Sequence, residues 1–345
     1  MPTFMPASPD AFTEADCGHT HAESARAERR LRIGELGLVL GVAFGSPVFA
    51  NVHPLLGGGR AYGPFADLYY VLHLVLQIAL ALALLGYLVW RRRVWQPTPT
   101  AAATSVAGGR FGWLRQVGWF DWWLVFMVAF WQEFSWWLYG RLRHLDWEPG
   151  PLVRNFPCIS LSVEMVISLL VLAVILKRSG RSFGDLGLRW SAYGAALALP
   201  LLLVQEFSSP LQRPIVYWLG QTLGPLGWHP PDVGAMLHSG GIQIATNVEN
   251  LLVGFYEELI VRAYVMTEII ALTHRPWLAI VISVATQTSY HFYQGVPLAL
   301  SHITIFLVFA LFYAKTRLIL PVALAHSLMD LSSTWNYGLQ KMFPF

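Results

Sequence analysis

Two adjacent carboxylates and an arginine, Glu257, Glu258 and Arg262, interrupt a strongly apolar stretch in the second half of the chain. Residues three or four positions apart share one face of a helix. Ionisable groups inside an apolar span are costly and by default mark function. This spacing therefore predicts that residues 240–270 form a helix with a functional polar face. The other polar or small residues of that face are Gln243, Asn247, Asn250 and Gly254.

Two later apolar stretches carry histidines on polar faces of their own. His291 follows Gln287 by four positions and precedes Gln294 by three, which predicts one shared helical face. His326 lies one helical turn before Asp330. Lipid cannot satisfy such groups, so we expect the three polar faces to point at one another.

This set of side chains suits the attack of water on an amide. A desolvated carboxylate beside an imidazole, as predicted for Glu257 and His291, can hold a water molecule and remove its proton. A second imidazole, His326, kept in one tautomer by Asp330, can donate to a developing oxyanion.

Other residues of the first helix are predicted to support this chemistry. Arg262 follows Glu258 by one turn, so it can pair with that carboxylate and keep it ionised and fixed. We expect Asn250, like Asn247 and Gln243, to bond between helices or to line a water path to Glu257.

A bound metal ion is the alternative to water activation by a carboxylate. Glu257, His291 and His326 could form a zinc site with two histidines, one carboxylate and an open position. The sequence contains no H-E-x-x-H pattern, and Arg262 puts a positive charge where the cation would lie. We therefore expect no cofactor, with zinc as the alternative.

The composition is that of a polytopic membrane protein. The chain is 55% hydrophobic and 12% charged, with a mean hydropathy of +0.49, whereas about a quarter of the residues of a soluble domain are charged. Its apolar runs approach the roughly 20 residues of a spanning helix. They predict an all-α transmembrane bundle of about eight or nine spans around a polar cavity. The spans are predicted at 33–53, 66–90, 119–140, 158–176, 191–207, 240–270, 277–294, 297–314 and 318–336, with a loop at 208–239.

The basic residues lie mainly between the spans and predict an orientation. If the spans alternate, most basic clusters fall on one side, which should be cytoplasmic. We expect an integral protein of a bacterial cytoplasmic membrane with a cytoplasmic N-terminus. The net charge of +3 gives no support for nucleic acid as a partner. The predicted domains are a disordered tail at 1–32, a transmembrane scaffold at 33–182, a catalytic domain at 183–336 and a short tail at 337–345.

Three motifs and a linker resemble one known family. Glu257-Glu258-Leu-Ile-Val-Arg262 resembles the E-E-x-x-x-R motif of the CPBP family, the CAAX-prenyl-protease-2-like intramembrane endopeptidases also called Abi proteins. Residues 289–295 resemble its second motif and residues 320–330 its last, H-x-x-x-N/D. Residues 183–189 resemble a linker common upstream in that family. The resemblance covers about residues 183–332.

The resemblance implies an intramembrane endopeptidase that cuts near the C-terminus of a membrane-delivered protein or peptide, prenylated or not. It implies that Glu257 with His291 activates water and that His326 with Asp330 forms the oxyanion site. Glu258 and Arg262 would support them.

The sequence departs from the family pattern at two positions. Gln287 stands where the family usually has Phe, four residues before the histidine of the second motif, which changes the shape or polarity of the pocket. Asp330 replaces the commoner Asn, and an aspartate favours the protonated form of His326, which suits an oxyanion donor.

Two other functions fit the same residues. Buried Glu, His and Asp side chains also relay protons in proton-coupled transporters. A non-catalytic immunity or scaffold protein could use the same fold, because fold does not dictate function.

Overall fold

A computed structural model describes residues 24–45, 66–95, 118–144, 151–223 and 244–342 of the 345-residue chain. These residues are helical apart from short linkers, and they contain no strand. The all-α prediction is therefore confirmed. Within the described ranges, three segments are long and apolar enough to cross a membrane, Leu72–Arg91, Asn155–Arg178 and Val296–Thr316. The protein is an integral membrane protein, while the total number of spans and the polar cavity stay predictions.

Each predicted span overlaps at least one described helix. The helix bounds are residues 24–45 for α1, Ala66–Trp95 for α2, Trp119–His144 for α3, Pro151–Arg178 for α4, Ala192–Ala196 for α5, Ala198–Leu223 for α6, Ile244–Glu257 for α7, Met266–Thr273 for α8, Pro276–Tyr290 for α9, Val296–Ser301 for α10, Ile303–Thr316 for α11 and Leu320–Met342 for α12.

Some predicted boundaries differ from the structure. Helix α1 begins at residue 24, inside the tail predicted at 1–32, and α12 continues to Met342, inside the tail predicted at 337–345. Helix α6 runs to Leu223 through part of the predicted loop. A tertiary contact supports that extension, because the buried Gln212 amide donates to Thr304 Oγ1 at 3.2 Å. The predictions for residues 1–23, 46–53 and 224–243 lie outside the described residues.

The helix with the two adjacent carboxylates is not a regular α-helix. Helices α7 and α8 are joined by a π-helical segment, Glu258–Val265, whose residues are all buried. Such segments break the regular backbone bonding pattern and are frequent at functional sites. Side chains from neighbouring helices meet the carbonyls of this segment: Ser283 donates to Val261 at 3.0 Å, and the Tyr313 hydroxyl lies 3.3 Å from the Ala263 oxygen.

Helix α12 lies against α7 at very close range. A Cβ atom added at Gly254 would lie 2.5 Å from Ser327 N and 2.7 Å from Ala323 O. Ser327 also donates to the Leu251 carbonyl at 2.9 Å. Only glycine permits this approach, which brings His326 of α12 up to the carboxylates at the end of α7.

The linker between α4 and α5 is fastened to the loop before α12. Gly187 has a positive φ of 88°, and a Cβ added there would lie 1.9 Å from Arg317 O. Its own carbonyl accepts from Ile319 N–H at 3.2 Å. The basic clusters at 177–189 and at 315–317 therefore lie on the same side of the bundle.

Candidate active site

The carboxylate of Glu257 is held by two donors from α9. Tyr290 donates its hydroxyl to Oε2 at 2.7 Å, and the Gln287 amide donates to the same oxygen at 2.9 Å. His326 Nε2 lies 4.0 Å from that oxygen. Glu257 is the last residue of α7, so the change to the π-helical segment occurs where the site begins.

Glu258 lies at the centre of a fully buried charge cluster. Its Oε1 accepts from His326 Nδ1 at 2.8 Å and from the Gln287 amide at 3.4 Å. Its Oε2 forms an ion pair with Arg262 Nε at 3.2 Å. The sequence prediction that Arg262 pairs with Glu258 is thus met by the geometry. A buried charge requires such a partner, because removing either member leaves the other uncompensated.

Arg262 is fixed from a second side by α11. Its guanidinium carries no exposed surface, and its Nη2 donates to the Phe306 carbonyl at 3.4 Å. The same group lies 5.4 Å from the centroid of the Phe306 ring, in cation–π contact. Arg262 therefore connects the π-helical segment to α11.

His326 faces three carboxylates, and the one that fixes its ring differs from the prediction. Its Nδ1 is bonded by Glu258, whereas Asp330 Oδ2 lies 3.6 Å from Nε2, beyond a normal hydrogen bond. An ionised carboxylate can only accept, so Nδ1 carries a hydrogen. Nε2 is therefore directed toward Glu257 and Asp330.

His291 lies just beyond the end of α9 and not within a regular helix. It begins a 3₁₀ turn, His291–Gln294. Its Nδ1 lies 2.8 Å from the Gln287 carbonyl, so this nitrogen is a donor and Nε2 of the neutral ring is an acceptor. The 3₁₀ turn changes the predicted shared face, and Gln294 bonds instead to His302 Nε2 at 3.2 Å.

Tyr290 and Phe44 are site residues that the sequence analysis did not single out. The Tyr290 ring stacks on Phe44 of α1, with centroids 4.4 Å apart and planes at 2°. The neighbouring Tyr256 donates its hydroxyl to the Ala43 carbonyl. A signal for Tyr290 was present, since it follows Gln287 by three positions and so shares its helical face. The sequence has no comparable signal for the contribution of α1.

The amides upstream of the carboxylates bond between helices. Asn250 donates to Thr334 Oγ1 at 2.8 Å, and Asn247 accepts from Trp335 Nε1 at 3.1 Å. Both contacts join α7 to α12, which agrees with the first of the two predicted roles. Gln243 lies outside the described residues.

No group of three or more His, Cys, Asp and Glu side chains in the described part of the chain is arranged to hold a metal ion. Glu257, His291 and His326, the residues of the zinc alternative, do not form such a group. Both imidazoles use Nδ1 for bonds within the protein, so only their Nε2 atoms could coordinate.

The fold and the site define an integral membrane protein with a buried carboxylate–imidazole centre. Residues 244–332 match the family model described as Type II CAAX prenyl endopeptidase Rce1-like. This match confirms, for residues 244–332, the resemblance seen in the three motifs. Comparisons with curated proteins and with solved structures gave no match.

Proposed function

We propose that the protein is an intramembrane endopeptidase that hydrolyses a peptide bond near the C-terminus of a membrane-associated protein or peptide, with prenylated substrates as the first to test. The observation that carries the proposal is the pair formed by Glu257 and His326. A carboxylate with oriented donors and an imidazole Nε2 face each other 4.0 Å apart in a buried site. The family match over the same residues points to the same chemistry.

In the first step, water adds to the scissile carbonyl. Glu257, with Oε2 already bonded to Tyr290 and Gln287, takes the proton of the water through Oε1. His291, whose Nε2 can accept, orients the water. The oxygen–carbon bond forms, and the carbonyl π electrons move to the oxygen to give a tetrahedral oxyanion.

His326 stabilises that oxyanion by donation from Nε2–H. Glu258 holds Nδ1, which orients the ring and leaves Nε2, with Asp330 Oδ2 3.6 Å away, to face the oxyanion. In the second step the oxyanion collapses and the carbon–nitrogen bond breaks. The proton held by Glu257 passes to the leaving amine, which restores the carboxylate.

We propose that this reaction is glutamate-based and needs no metal. The two carboxylates, Arg262 and the imidazoles supply a base, an oxyanion donor and an orienting shell from the chain itself. Cleavage that continues in strong chelator supports this mechanism, and cleavage that stops until zinc is restored contradicts it.

The proposal is tested with the purified full chain in detergent and a fluorogenic, prenylated C-terminal peptide. We expect Glu257→Gln to lower kcat by about 100-fold or more, because general base catalysis contributes about 10²–10⁴-fold. The matched control is Glu249→Gln, a half-buried carboxylate two turns earlier on α7 that interacts with Cys158. Loss of cleavage in both variants, or in neither, contradicts the site. Proton-driven uptake into liposomes that depends on Glu257 would favour a transporter.

We also propose that the protein lies in a bacterial cytoplasmic membrane, with the side that carries the basic clusters facing the cytoplasm. The support is their placement on one side of the bundle and the rule that cytoplasmic loops are rich in Lys and Arg. The test is the variant Lys315→Cys, treated in intact cells with a membrane-impermeant maleimide. Labelling of position 315 from outside the cell would contradict this orientation.

A further inference from the structure

A cleft between α2, α3 and α4 combines apolar walls with a basic rim. It has a volume of about 560 Å³ and includes Phe120, Leu170 and Val174 on its walls. Arg91, Lys177 and Arg178 lie at its edge, where α2 and α4 end and α3 begins. The cleft is formed wholly by the N-terminal half, outside the proposed active site.

The three basic side chains at the edge of this cleft differ in whether a carboxylate pairs with them. Asp121 binds Arg178 through both of its oxygens, each at 2.9 Å. The charge of Arg91 acts on Glu35, whose carboxylate accepts from the Tyr87 hydroxyl at 2.8 Å. Among the described residues neither Arg91 nor Lys177 forms an ion pair, and Arg91 Nε is buried without a hydrogen-bond partner. The cleft thus holds two cationic side chains that form no ion pair with the described residues.

We propose that this cleft binds the phosphate headgroup of an anionic phospholipid, with the acyl chains along its apolar wall. Arg91 and Lys177 face the phosphate, while Arg178 stays paired with Asp121. Basic pockets between transmembrane helices are suited to anionic headgroups. Two aromatic residues at the start of α3, Trp119 at 81% exposure and Phe120 at 45%, lie where interfacial aromatic side chains anchor a helix among headgroups. The occupant is therefore a lipid of the surrounding bilayer and not a soluble anion.

The test measures the Tm of the full chain in detergent during titration with dioleoyl phosphatidylglycerol. We expect the lipid to raise Tm, and Lys177→Gln to raise the half-saturating concentration about fivefold, the effect of one cation near a membrane surface. Arg91→Gln should act in the same direction. Lys177 is exposed, so its replacement leaves the helix packing intact. The matched control is Lys315→Gln, an exposed lysine on the same side that lies outside the cleft.

Four results would overturn the proposal. Phosphatidylcholine could raise Tm as strongly, which would mean that the charge is not recognised. Lys315→Gln could weaken the lipid effect as much as Lys177→Gln, which would mean diffuse attraction. Inorganic phosphate alone could reproduce the stabilisation, which would mean that the acyl chains play no part. An unchanged half-saturating concentration in Lys177→Gln would mean that the lipid does not bind in this cleft.

Discussion

At the scale of single residues, Gln287 separates two carboxylates that would otherwise repel each other. Its amide nitrogen lies 2.9 Å from Glu257 and 3.4 Å from Glu258, and the side chain is fully buried. We expect Gln287→Met, which keeps the volume and removes the donor, to destabilise the protein by about 1–3 kcal/mol and to lower kcat. The measurements are Tm and steady-state cleavage.

The control for Gln287 is its neighbour Thr288. The Thr288 hydroxyl bonds to the Val284 carbonyl of its own helix at 2.9 Å, so Thr288→Val should leave cleavage nearly unchanged. Equal loss in the two variants would show that α9 is merely sensitive to substitution. Full activity in Gln287→Met would show that the amide plays no part in holding the carboxylates.

A substitution at Tyr290 separates the effect on activity from the effect on stability better than Gln287→Met does. Tyr290→Phe removes the hydroxyl that donates to Glu257 at 2.7 Å but keeps the ring stacked on Phe44. A hydrogen bond to a charged group is worth about 1.5–3 kcal/mol, so we expect kcat to fall by about tenfold or more. Tm should change less than in Tyr290→Ala, which also removes the stacked ring. A variant with unchanged kcat would place Tyr290 outside the reaction.

Residue spacing predicted most of this centre, and tertiary geometry decided the rest. The positions of Glu257, Glu258 and Arg262 follow from the motif, and so does the pairing of the last two. The choice of Glu258 as the partner of His326 Nδ1 could not be predicted, because it depends on how closely α12 approaches α7. Spacing on one helix favoured Asp330, whereas the contact between two helices determines the distances observed.

At the scale of elements, the crossing of α7 and α12 depends on one glycine. A Cβ at Gly254 would fall within 2.7 Å of backbone atoms of α12, which cannot move without moving His326. We expect Gly254→Ala to cost about 1–3 kcal/mol, the usual range for overpacking, and to reduce cleavage strongly. Thermal unfolding and kcat are the measurements.

A glycine without neighbours provides the matched control for Gly254. An added Cβ at Gly86, in the interior of α2, meets no atom within 4 Å. Gly86→Ala should therefore be neutral or stabilise the protein by up to about 1 kcal/mol, through helix propensity. If both alanine variants behave alike, the close approach of α7 and α12 is not what Gly254 provides.

The existence of the helices was predictable, while their irregularities were not. Apolar runs predicted α2 and α3 to within five residues at each end, because length and hydropathy are strong signals in a membrane protein. The π-helical segment and the 3₁₀ turn at His291 are departures from regular geometry. They depend on bonds from Ser283 and on the end of α9, which a helical wheel does not represent.

At the scale of the whole molecule, one buried carboxylate joins the two halves of the chain. Glu268 of α8 has no exposed surface and binds Arg181 of the linker and, at 3.4 Å, Arg32 of α1. Three segments distant in sequence thus meet at a single charge, on the side where the basic clusters lie. The N-terminal half is in this way fixed relative to the site, to which it also contributes Phe44.

Glu268→Gln removes that charge and keeps the shape of the side chain. Breaking a fully buried ion pair costs about 3–5 kcal/mol. We expect a smaller loss of stability in Glu268→Gln, because the side chains of Arg181 and Arg32 are 21% and 32% exposed and water can solvate them.

The control is Glu28→Gln, which removes the partner of Arg32 one turn away, where the carboxylate is 64% exposed. Such a surface pair contributes about 0–1 kcal/mol, so Tm should fall clearly in Glu268→Gln and little in Glu28→Gln. Equal shifts in Tm would mean that the junction is held by apolar packing and that Glu268 adds no more than a surface charge.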